Sequence, residues 1–308
     1  MKKRVFIASI LAGSLIFSAT LFAQDAEQGH GAPEPPRARV HLAKGQAGPF
    51  GGGAAKLLNW NGGPVMHGTQ VVPIFWGNWS SPGDKITGLR EFYQGVGGST
   101  YAGTNTEYTD GSGHVSSLVS LDSSFPIMDS SSAPSSGNST SAILAEVCKV
   151  TNGAPQPGAY YPVYVSTKRG SAGYCAWHSA GSCNAIPVQF GFFFNLDGDP
   201  GCDPGGSTGV SATVNGNQTH SQGLAALASV SGHELSEVQT DPKLNAWYDR
   251  QGNENADKCA WTFGSTLLTF PGGSTWKIQG NWSNNAYNGN QGYTSSGTFV
   301  RGCIDGTN

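Results

Sequence analysis

Three residues within five positions, His233, Glu234 and Glu237, have the types and spacing for hydrolytic chemistry. Residues four apart lie on the same face of a helix, so His233 and Glu237 would project together. Zinc hydrolases bind their metal with such a turn, usually with a second histidine where this chain has Glu237. Glu234 would lie beside a water molecule at the metal and act as general base. The pattern therefore predicts zinc ligands at His233 and Glu237 and a catalytic residue at Glu234.

A catalytic zinc site needs at least one further protein ligand. Glu254 and Asp257 follow the motif, and Cys259 beside them could fix that segment through a disulfide. Either carboxylate would complete the ligand set, so both are predicted metal ligands. His178 is another candidate, as a ligand or as a group that steadies an oxyanion. For His178, however, a histidine hydrogen-bonded within a disulfide loop is the preferred interpretation.

The segment 195–199 contains alternating oxygen ligands, which are typical of calcium loops. Such loops have a glycine where this chain has Pro200, and the bidentate glutamate is missing. We therefore interpret the segment as an ordinary turn after a strand, and zinc rather than calcium is the expected cofactor.

A helix must position the motif, and the sequence predicts one that runs to Thr240. Thr219 can cap its start, and Pro242 ends it. The stripe that would pack into the core consists of Leu224, Leu227, Ser231, Leu235 and Val238. The adjacent stripe, which would line the floor of a cleft, consists of Val230, His233, Glu237 and Asp241.

Other segments predict the sheet and two further helices. Residues 70–76 read as a first strand, and residues 160–166 and 188–194 read as buried strands. Apolar spacing predicts helices from Pro82 through Tyr93 and over residues 139–150. The edge of this sheet beside the motif helix would hold an extended peptide by strand addition.

The N-terminal residues predict export. A basic start and an apolar stretch ending in small residues indicate a secretory signal peptide over residues 1–23. Residues 24–55 are rich in Gly, Pro and Ala and predict a flexible leader. The remainder, 56–308, is long enough for a single globular domain. We therefore expect a secreted protein, extracellular or periplasmic.

Charge and hydropathy exclude two classes of partner. Removal of Lys2, Lys3 and Arg4 with the signal peptide changes the net charge from -3 to -6. A chain this acidic is poorly suited to bind nucleic acid. No other apolar run is long enough to span a bilayer, so no membrane span is expected after cleavage.

The cysteines predict a disulfide framework. Their even number favours three disulfides in an oxidising compartment. The sequence contains no C-x-x-C pair, so a thiolate metal site is not expected. We pair Cys259 with Cys303, and Cys175 with Cys183 or Cys202.

The residues around the motif resemble a known family. The segments 224–237, 240–242, 245–249 and 254–259 together resemble the EXORDIUM, or phosphate-induced protein 1, family and its bacterial relatives. Looser similarity extends to the segments 61–66, 74–77 and 174–179. The resemblance implies an extracellular or cell-surface protein, since plant members are linked to growth and the cell wall. Some members lack the full His-Glu-x-x-Glu set, which this chain keeps.

Together these features predict an α+β fold, a single zincin-like domain with a mixed sheet, a central active-site helix and disulfide-bonded loops. The leading hypothesis is a secreted zinc-dependent hydrolase, a metallopeptidase that acts on extracellular protein or peptide. The alternative is a non-catalytic extracellular protein of the EXORDIUM type that binds cell-wall polysaccharide. Trp282 and Tyr287, which are flanked by amide side chains, suit either sugar stacking or a core.

Overall fold

A mixed eight-stranded sheet forms the centre of the residues that the structure describes. The computed structural model describes residues 38–46, 57–205 and 220–307. The predicted signal peptide and most of the predicted leader lie outside these residues.

The described helices are α1 (Lys85–Val96), α2 (Thr100–Gly103), α3 (Thr140–Val150), α4 (Gln222–Thr240) and α5 (Asn284–Asn288), with a 3-10 helix at Asp257–Cys259. The described strands are β1 (Ala38–Leu42), β2 (Asn59–Trp60), β3 (Thr69–Val71), β4 (Ile74–Trp76), β5 (Thr109–Asp110), β6 (Gly113–His114), β7 (Val119–Leu121), β8 (Ile127–Asp129), β9 (Ala159–Lys168), β10 (Tyr174–Cys183), β11 (Ile186–Asn195), β12 (Trp247–Tyr248), β13 (Leu268–Thr269), β14 (Thr275–Trp276), β15 (Asn281–Trp282), β16 (Gly292–Ser295), β17 (Thr298–Arg301) and β18 (Cys303–Ile304).

The main sheet has the strand order β1-β10-β11-β9-β3-β7, and β4 pairs with both β9 and β8. The pairs β1–β10 and β10–β11 are antiparallel, whereas β11–β9, β9–β3 and β3–β7 are parallel. The protein therefore mixes helices with a largely sheet-built core, and the predicted mixed sheet is confirmed. The two predicted buried strands, 160–166 and 188–194, lie within β9 and β11.

The prediction of one strand over residues 70–76 is wrong. The segment forms two short strands, β3 and β4, separated at Val72 and Pro73. Pro73 has no N–H to donate to a neighbouring strand, so the ladder breaks there. Phe75, in β4, is fully buried in the core.

Two helices follow the apolar spacing, with one corrected start. Helix α3 begins after Ser139, whose hydroxyl accepts a hydrogen bond from the N–H of Ala142 at 3.2 Å. Helix α1 begins at Lys85 rather than at the predicted Pro82. Gly83 has a φ of +60°, which is not helical, so the helix cannot include it.

Helix α4 carries the motif and is buried along its whole length from Gly223 to Thr240. The predicted cap, Thr219, lies outside the described residues. Ser221 caps the helix, because its hydroxyl accepts a hydrogen bond from the N–H of Leu224 at 3.1 Å. The helix ends at Thr240, just before Pro242, as predicted.

The predicted core stripe of α4 is confirmed, but the predicted cleft floor is wrong. The stripe with His233 and Glu237 is as buried as the apolar stripe. Helix α4 packs on β1, β10 and β11 and also contacts β14. Near His233, a Cβ at Gly232 would lie 2.7 Å from Cγ2 of Ile278, so the chain there covers the helix closely. A helix enclosed on both sides lines a chamber, not an open cleft.

All six cysteines lie in the described residues and form three disulfides, which fits a secreted protein. The Cys259–Cys303 pair is confirmed, and Cys175 takes Cys202, one of its two predicted partners. Cys183 pairs with Cys148. Cys175 and Cys183 stand near opposite ends of strand β10, so the expected disulfide loop around His178 is a strand instead.

The expectation of a flexible leader over residues 24–55 is wrong for part of it. Ala38–Leu42 forms β1, which pairs antiparallel with β10 and extends the main sheet. The pairing satisfies the otherwise free edge of β10 with main-chain hydrogen bonds, which any extended segment can supply. The sheet therefore includes residues that precede position 56. Among the described residues, no helix is both long and apolar enough to cross a bilayer.

Candidate metal centre

Five side chains meet in the chamber beside α4, and we call them the His/carboxylate cluster. They are His178 from β10, His233 and Glu237 from α4, and Glu254 and Asp257 from the segment after α4. The four predicted metal ligands therefore come together, joined by His178, whose preferred interpretation was a structural one.

The segment that carries Glu254 and Asp257 is held at both ends. The carboxylate of Asp249 accepts hydrogen bonds from the N–H of Asn253 at 3.0 Å and from Nζ of Lys258 at 2.9 Å. The N–H of Asp257 donates to Oε1 of Glu237 at 3.0 Å, which ties the segment to α4. Next to it, Cys259 is bonded to Cys303, as the sequence suggested. The two acidic residues thus have fixed positions relative to the helix.

Glu237 belongs to two overlapping groups of potential ligands. Its Oε1 lies 3.0 Å from Nε2 of His233, which is 3.6 Å from Oδ1 of Asp257. Its Oε2 lies 3.4 Å from Nε2 of His178, which is 3.0 Å from Oε2 of Glu254. The sequence left Glu254 and Asp257 as alternatives for completing the His233 set. The distances associate Asp257 with His233, and Glu254 with His178.

The group of His233, Glu237 and Asp257 fits the dimensions of a zinc site. Zinc lies about 2.0–2.1 Å from nitrogen and oxygen ligands, so the ligand atoms of a tetrahedral site are roughly 3.3–3.4 Å apart. The two distances from His233, 3.0 and 3.6 Å, lie on either side of that value. Nε2 of His233 is buried and has no partner at hydrogen-bond geometry. A cation between these atoms would satisfy it.

The other ring nitrogen of His233 has a partner. Nε2 of Gln279 lies 2.9 Å from Nδ1 of His233 and donates to the carbonyl of Ala256 at 2.8 Å. Oε1 of Gln279 accepts from the N–H of Trp261 at 3.2 Å. These bonds orient the amide so that Nδ1 of His233 accepts, which leaves the imidazole proton on Nε2. A cation at Nε2 would require the imidazole proton on Nδ1, so the Gln279 amide and its bonds to Ala256 and Trp261 would have to rearrange for Nδ1 to find an acceptor.

Five carboxyl groups crowd the region around the cluster. The buried or largely buried carboxylates are those of Glu234, Glu237, Asp241, Glu254 and Asp257. The basic side chains in ion-pair contact with this group are Arg39, His178 and His233. Burial acts to lower the pKa of His178, but Glu254 and Glu237 hold it well above its ordinary value. Burial, together with the Glu237 carboxylate, raises the pKa of Glu254 well above its ordinary value and that of Asp257 to about 7, so without a cation these groups favour their protonated forms.

Glu234, the predicted catalytic residue, is fully buried next to the cluster in the chain. Neither of its carboxylate oxygens has a hydrogen-bond partner among the described residues. Burial, together with the nearby Glu237 carboxylate, raises the pKa of Glu234 well above its ordinary value. When ionised, a carboxylate with a raised pKa is a stronger base than an exposed one.

The chamber is closed by the chain itself. The ring of His41, from β1, packs against the ring of His233 with a centroid distance of 3.8 Å and an interplanar angle of 43°. The ring centroid of Trp261 lies 4.7 Å from that of His41. Within the cluster, Asp257 alone keeps an exposed fraction of its side chain, 19%. Solvent therefore approaches the cluster from the side of Asp257.

The remaining sequence candidates take other roles. In the acidic segment 195–199, Oδ2 of Asp197 accepts from Nζ of Lys85 at 2.7 Å, and Asp199 accepts from Arg169. Both carboxylates thus bind cationic side chains of the protein, consistent with a turn. Trp282 is 4% exposed, so its ring belongs to a core and not to a sugar-binding surface.

Sequence reasoning missed three residues that touch the site: Arg39, His41 and Gln279. Arg39 and His41 lie in the part of the chain predicted as leader, where composition suggests no ordered structure. Gln279 stands in a segment rich in amide side chains, with no spacing relative to the motif that would mark it. The alternation of Arg39-Val40-His41-Leu42 was the available signal, because it fits a short strand with one polar face.

Comparisons with known proteins give no relative from which a role could be transferred. No protein-family model matches the chain, and neither a curated protein nor a solved structure is similar to it at a significant level. The residues of the site are therefore the basis for any role of this protein.

Proposed function

We propose that this protein is a secreted metal-dependent hydrolase, a zincin-like metallopeptidase that acts on extracellular protein or peptide. One observation carries the proposal. Nε2 of His233 is fully buried, lacks a hydrogen-bond partner, and lies 3.0 and 3.6 Å from the carboxylate oxygens of Glu237 and Asp257. One imidazole nitrogen and two carboxylate oxygens make a suitable donor set for zinc.

His233, Glu237 and Asp257 would hold the cation, and three protein ligands leave a position for water and substrate. When bound, zinc supplies Lewis-acid chemistry and lowers the pKa of water. The group of His178, Glu254 and Glu237 fits this role less well. Nε2 of His178 already makes a hydrogen bond to Glu254 at 3.0 Å, whereas Nε2 of His233 has no hydrogen-bond partner among the described residues.

Glu234 would act as the general base. Its carboxylate lies one residue from His233 on the same helix, and both of its oxygens are free to accept a proton from water. Asp257 would orient the entering substrate toward this end of the chamber, since it is the exposed member of the cluster. His178, held as a cation by Glu254 and Glu237, would offset the negative charge of the ligands.

A second candidate function is a non-catalytic extracellular protein of the EXORDIUM type, which binds cell-wall polysaccharide. The burial of the cluster favours it, because four of its five side chains are fully buried and out of reach of a large substrate. In that case the cation would hold α4 to the Glu254–Asp257 segment and would have no contact with substrate.

The substitution Glu234→Gln tests the catalytic proposal, since it keeps the shape of the side chain and removes the base. We expect unchanged zinc content and a loss of about 100- to 10,000-fold in the hydrolysis of a broad protein substrate. Glu146→Gln, at a buried glutamate outside the cluster, is the matched control and should retain activity. Full activity of Glu234→Gln would refute the mechanism. A zinc-bound wild type without peptidase activity that binds glycans would favour the second candidate.

A further inference from the structure

Strand β1 lies where an extended peptide is expected to bind. It is the edge strand of the main sheet, antiparallel to β10, and it packs beside α4. Arg39 is opposite His178 and His41 is opposite Ala176 in the register. Residues opposite each other in an antiparallel pair share a face of the sheet, so Arg39 and His41 face the chamber with His178.

Arg39 sits in a built guanidinium subsite. Its Nε lies 3.6 Å from Oε2 of Glu254, which is fully buried. Its Nη1 donates to the carbonyl oxygen of Gly252 at 3.1 Å. The guanidinium carbon lies 5.2 Å from the ring centroid of Tyr248, a distance typical of cation–π contact. A carboxylate, a carbonyl and an aromatic face together recognise arginine better than lysine.

His41 and the residues after it continue along the groove. The imidazole of His41 is 1% exposed and packs against the ring of His233, so it covers the proposed ligand. The carbonyl of Leu42 accepts from Nε1 of Trp261 at 2.9 Å, and the N–H of Lys44 donates to the carbonyl of Gly201 at 2.8 Å. Main-chain hydrogen bonds therefore hold β1, as in peptide recognition by strand addition.

We infer that β1 is an internal occupant of a peptide-binding groove, and that the groove binds extended peptides with an arginine in the subsite of Glu254, Gly252 and Tyr248. The groove gains main-chain affinity from β10 and selectivity from the arginine subsite. While β1 is in place, it excludes other peptides, because a tethered strand competes at a high effective concentration. This inference deepens the proposed function, and only its consequence for hydrolysis rests on that function.

The test uses the full chain with a site-specific protease sequence placed between Gln46 and Leu57. A fluorescent peptide with the sequence of residues 38–46 is added before and after cutting, without added metal, and binding is followed by anisotropy. We expect no binding to the intact chain and saturable binding to the cut chain as the peptide exchanges with the released β1 segment. Because binding is read without metal or hydrolysis, an inactive enzyme leaves this result intact.

Peptide variants test the subsite. Arg39→Ala in the peptide should weaken binding about tenfold or more, since it removes the contacts of the guanidinium with Glu254, Gly252 and Tyr248. Arg39→Lys should recover part of this loss. Val40→Thr is the matched control, because Val40 points to the opposite face and is 37% exposed, and it should change binding less than twofold.

Two outcomes would overturn the inference. In the first, the β1 segment stays on the cut chain despite a large excess of peptide, which would make β1 a permanent part of the fold. In the second, Arg39→Ala and Val40→Thr weaken binding equally, which would remove the arginine subsite.

Discussion

Two buried polar regions lie side by side at the C-terminal half of α4, and they are satisfied in different ways. In the first, the amide network, Asn255 donates to Asn105 at 2.8 Å, and Asn105 donates to Gln239 at 3.0 Å. Gln239 in turn donates to the hydroxyl of Thr69 and the carbonyl of Ser116, each at 3.3 Å. All of these hydrogen bonds join protein groups, so these amide donors are satisfied within the chain.

The second region, the His/carboxylate cluster, contains buried polar atoms that lack hydrogen-bond partners among the described residues. Nε2 of His233, Oε2 of Glu237 and Oε1 of Glu254 are buried without hydrogen-bond partners. The difference follows from the side chains, because an amide both donates and accepts, whereas an ionised carboxylate only accepts. A set of buried carboxyl groups therefore needs cations or bound protons. The proposed metal would meet this need, whereas the amide network has no such need.

The largest expected effect comes from Glu237→Gln, which removes the carboxylate shared by both histidines while keeping its shape. We expect zinc affinity to fall at least about 100-fold, the upper end of the losses seen when a partner of a ligand is removed. Competition with a chromogenic chelator measures this affinity. Retention of wild-type affinity would exclude Glu237 as a ligand and break the distinction between the two regions.

Gln239→Leu is the corresponding change in the amide network, two residues further along the same helix. The change removes the oxygen that accepts a hydrogen bond from the Asn105 amide. It should lower the free energy of unfolding by roughly 1–3 kcal/mol in urea titrations. Zinc content should stay at the wild-type level. If Gln239→Leu also lost the metal, the two regions would form one unit and the comparison would fail.

A smaller effect is expected at Glu146, a buried carboxylate outside both regions. Burial and the nearby Asp129 raise the pKa of Glu146 to about 7 from its ordinary 4.5. Folding thus favours its protonated form, so this contribution to stability is present below pH 4.5 and is lost as pH rises to about 7.

We expect a loss of roughly 1–2 kcal/mol across this pH window, discounted for the exposed Lys149 nearby, which screens the charge. Glu146→Gln should flatten the profile when urea unfolding is measured at several pH values. The pKa of Asp129 is lowered, so its own effect falls below pH 3.8, outside the window. An unchanged slope in Glu146→Gln would contradict this assignment.

Much of the architecture near the motif was predictable because it depends on local patterns. The apolar spacing of α4, its stop before Pro242 and the buried runs of β9 and β11 express periodicity and chain-breaking residues. The start of α1 was misplaced because Gly83 takes a left-handed conformation, which composition does not reveal. The break at Pro73 could have been found, since proline cannot donate to a ladder.

The site was predictable in its residues but not in its grouping. His233, Glu237, Glu254 and Asp257 are marked by type and proximity in sequence. The addition of His178 depends on strand β10 reaching the same chamber, and that of Arg39 and His41 depends on β1 pairing at the sheet edge. These are contacts between residues far apart in the chain, which neither helical spacing nor composition encodes.

The metal content and zinc response of the purified full chain test the central claim most directly. We predict about one divalent transition-metal ion per chain by elemental analysis, lost in Glu237→Gln and retained in Glu234→Gln and Gln239→Leu. Restoring zinc to chelated protein should raise the free energy of unfolding by about 4 kcal/mol when free zinc is about 1,000 times Kd. A metal-free protein whose unfolding does not respond to zinc would contradict the account, because the cluster would then be satisfied without a cation.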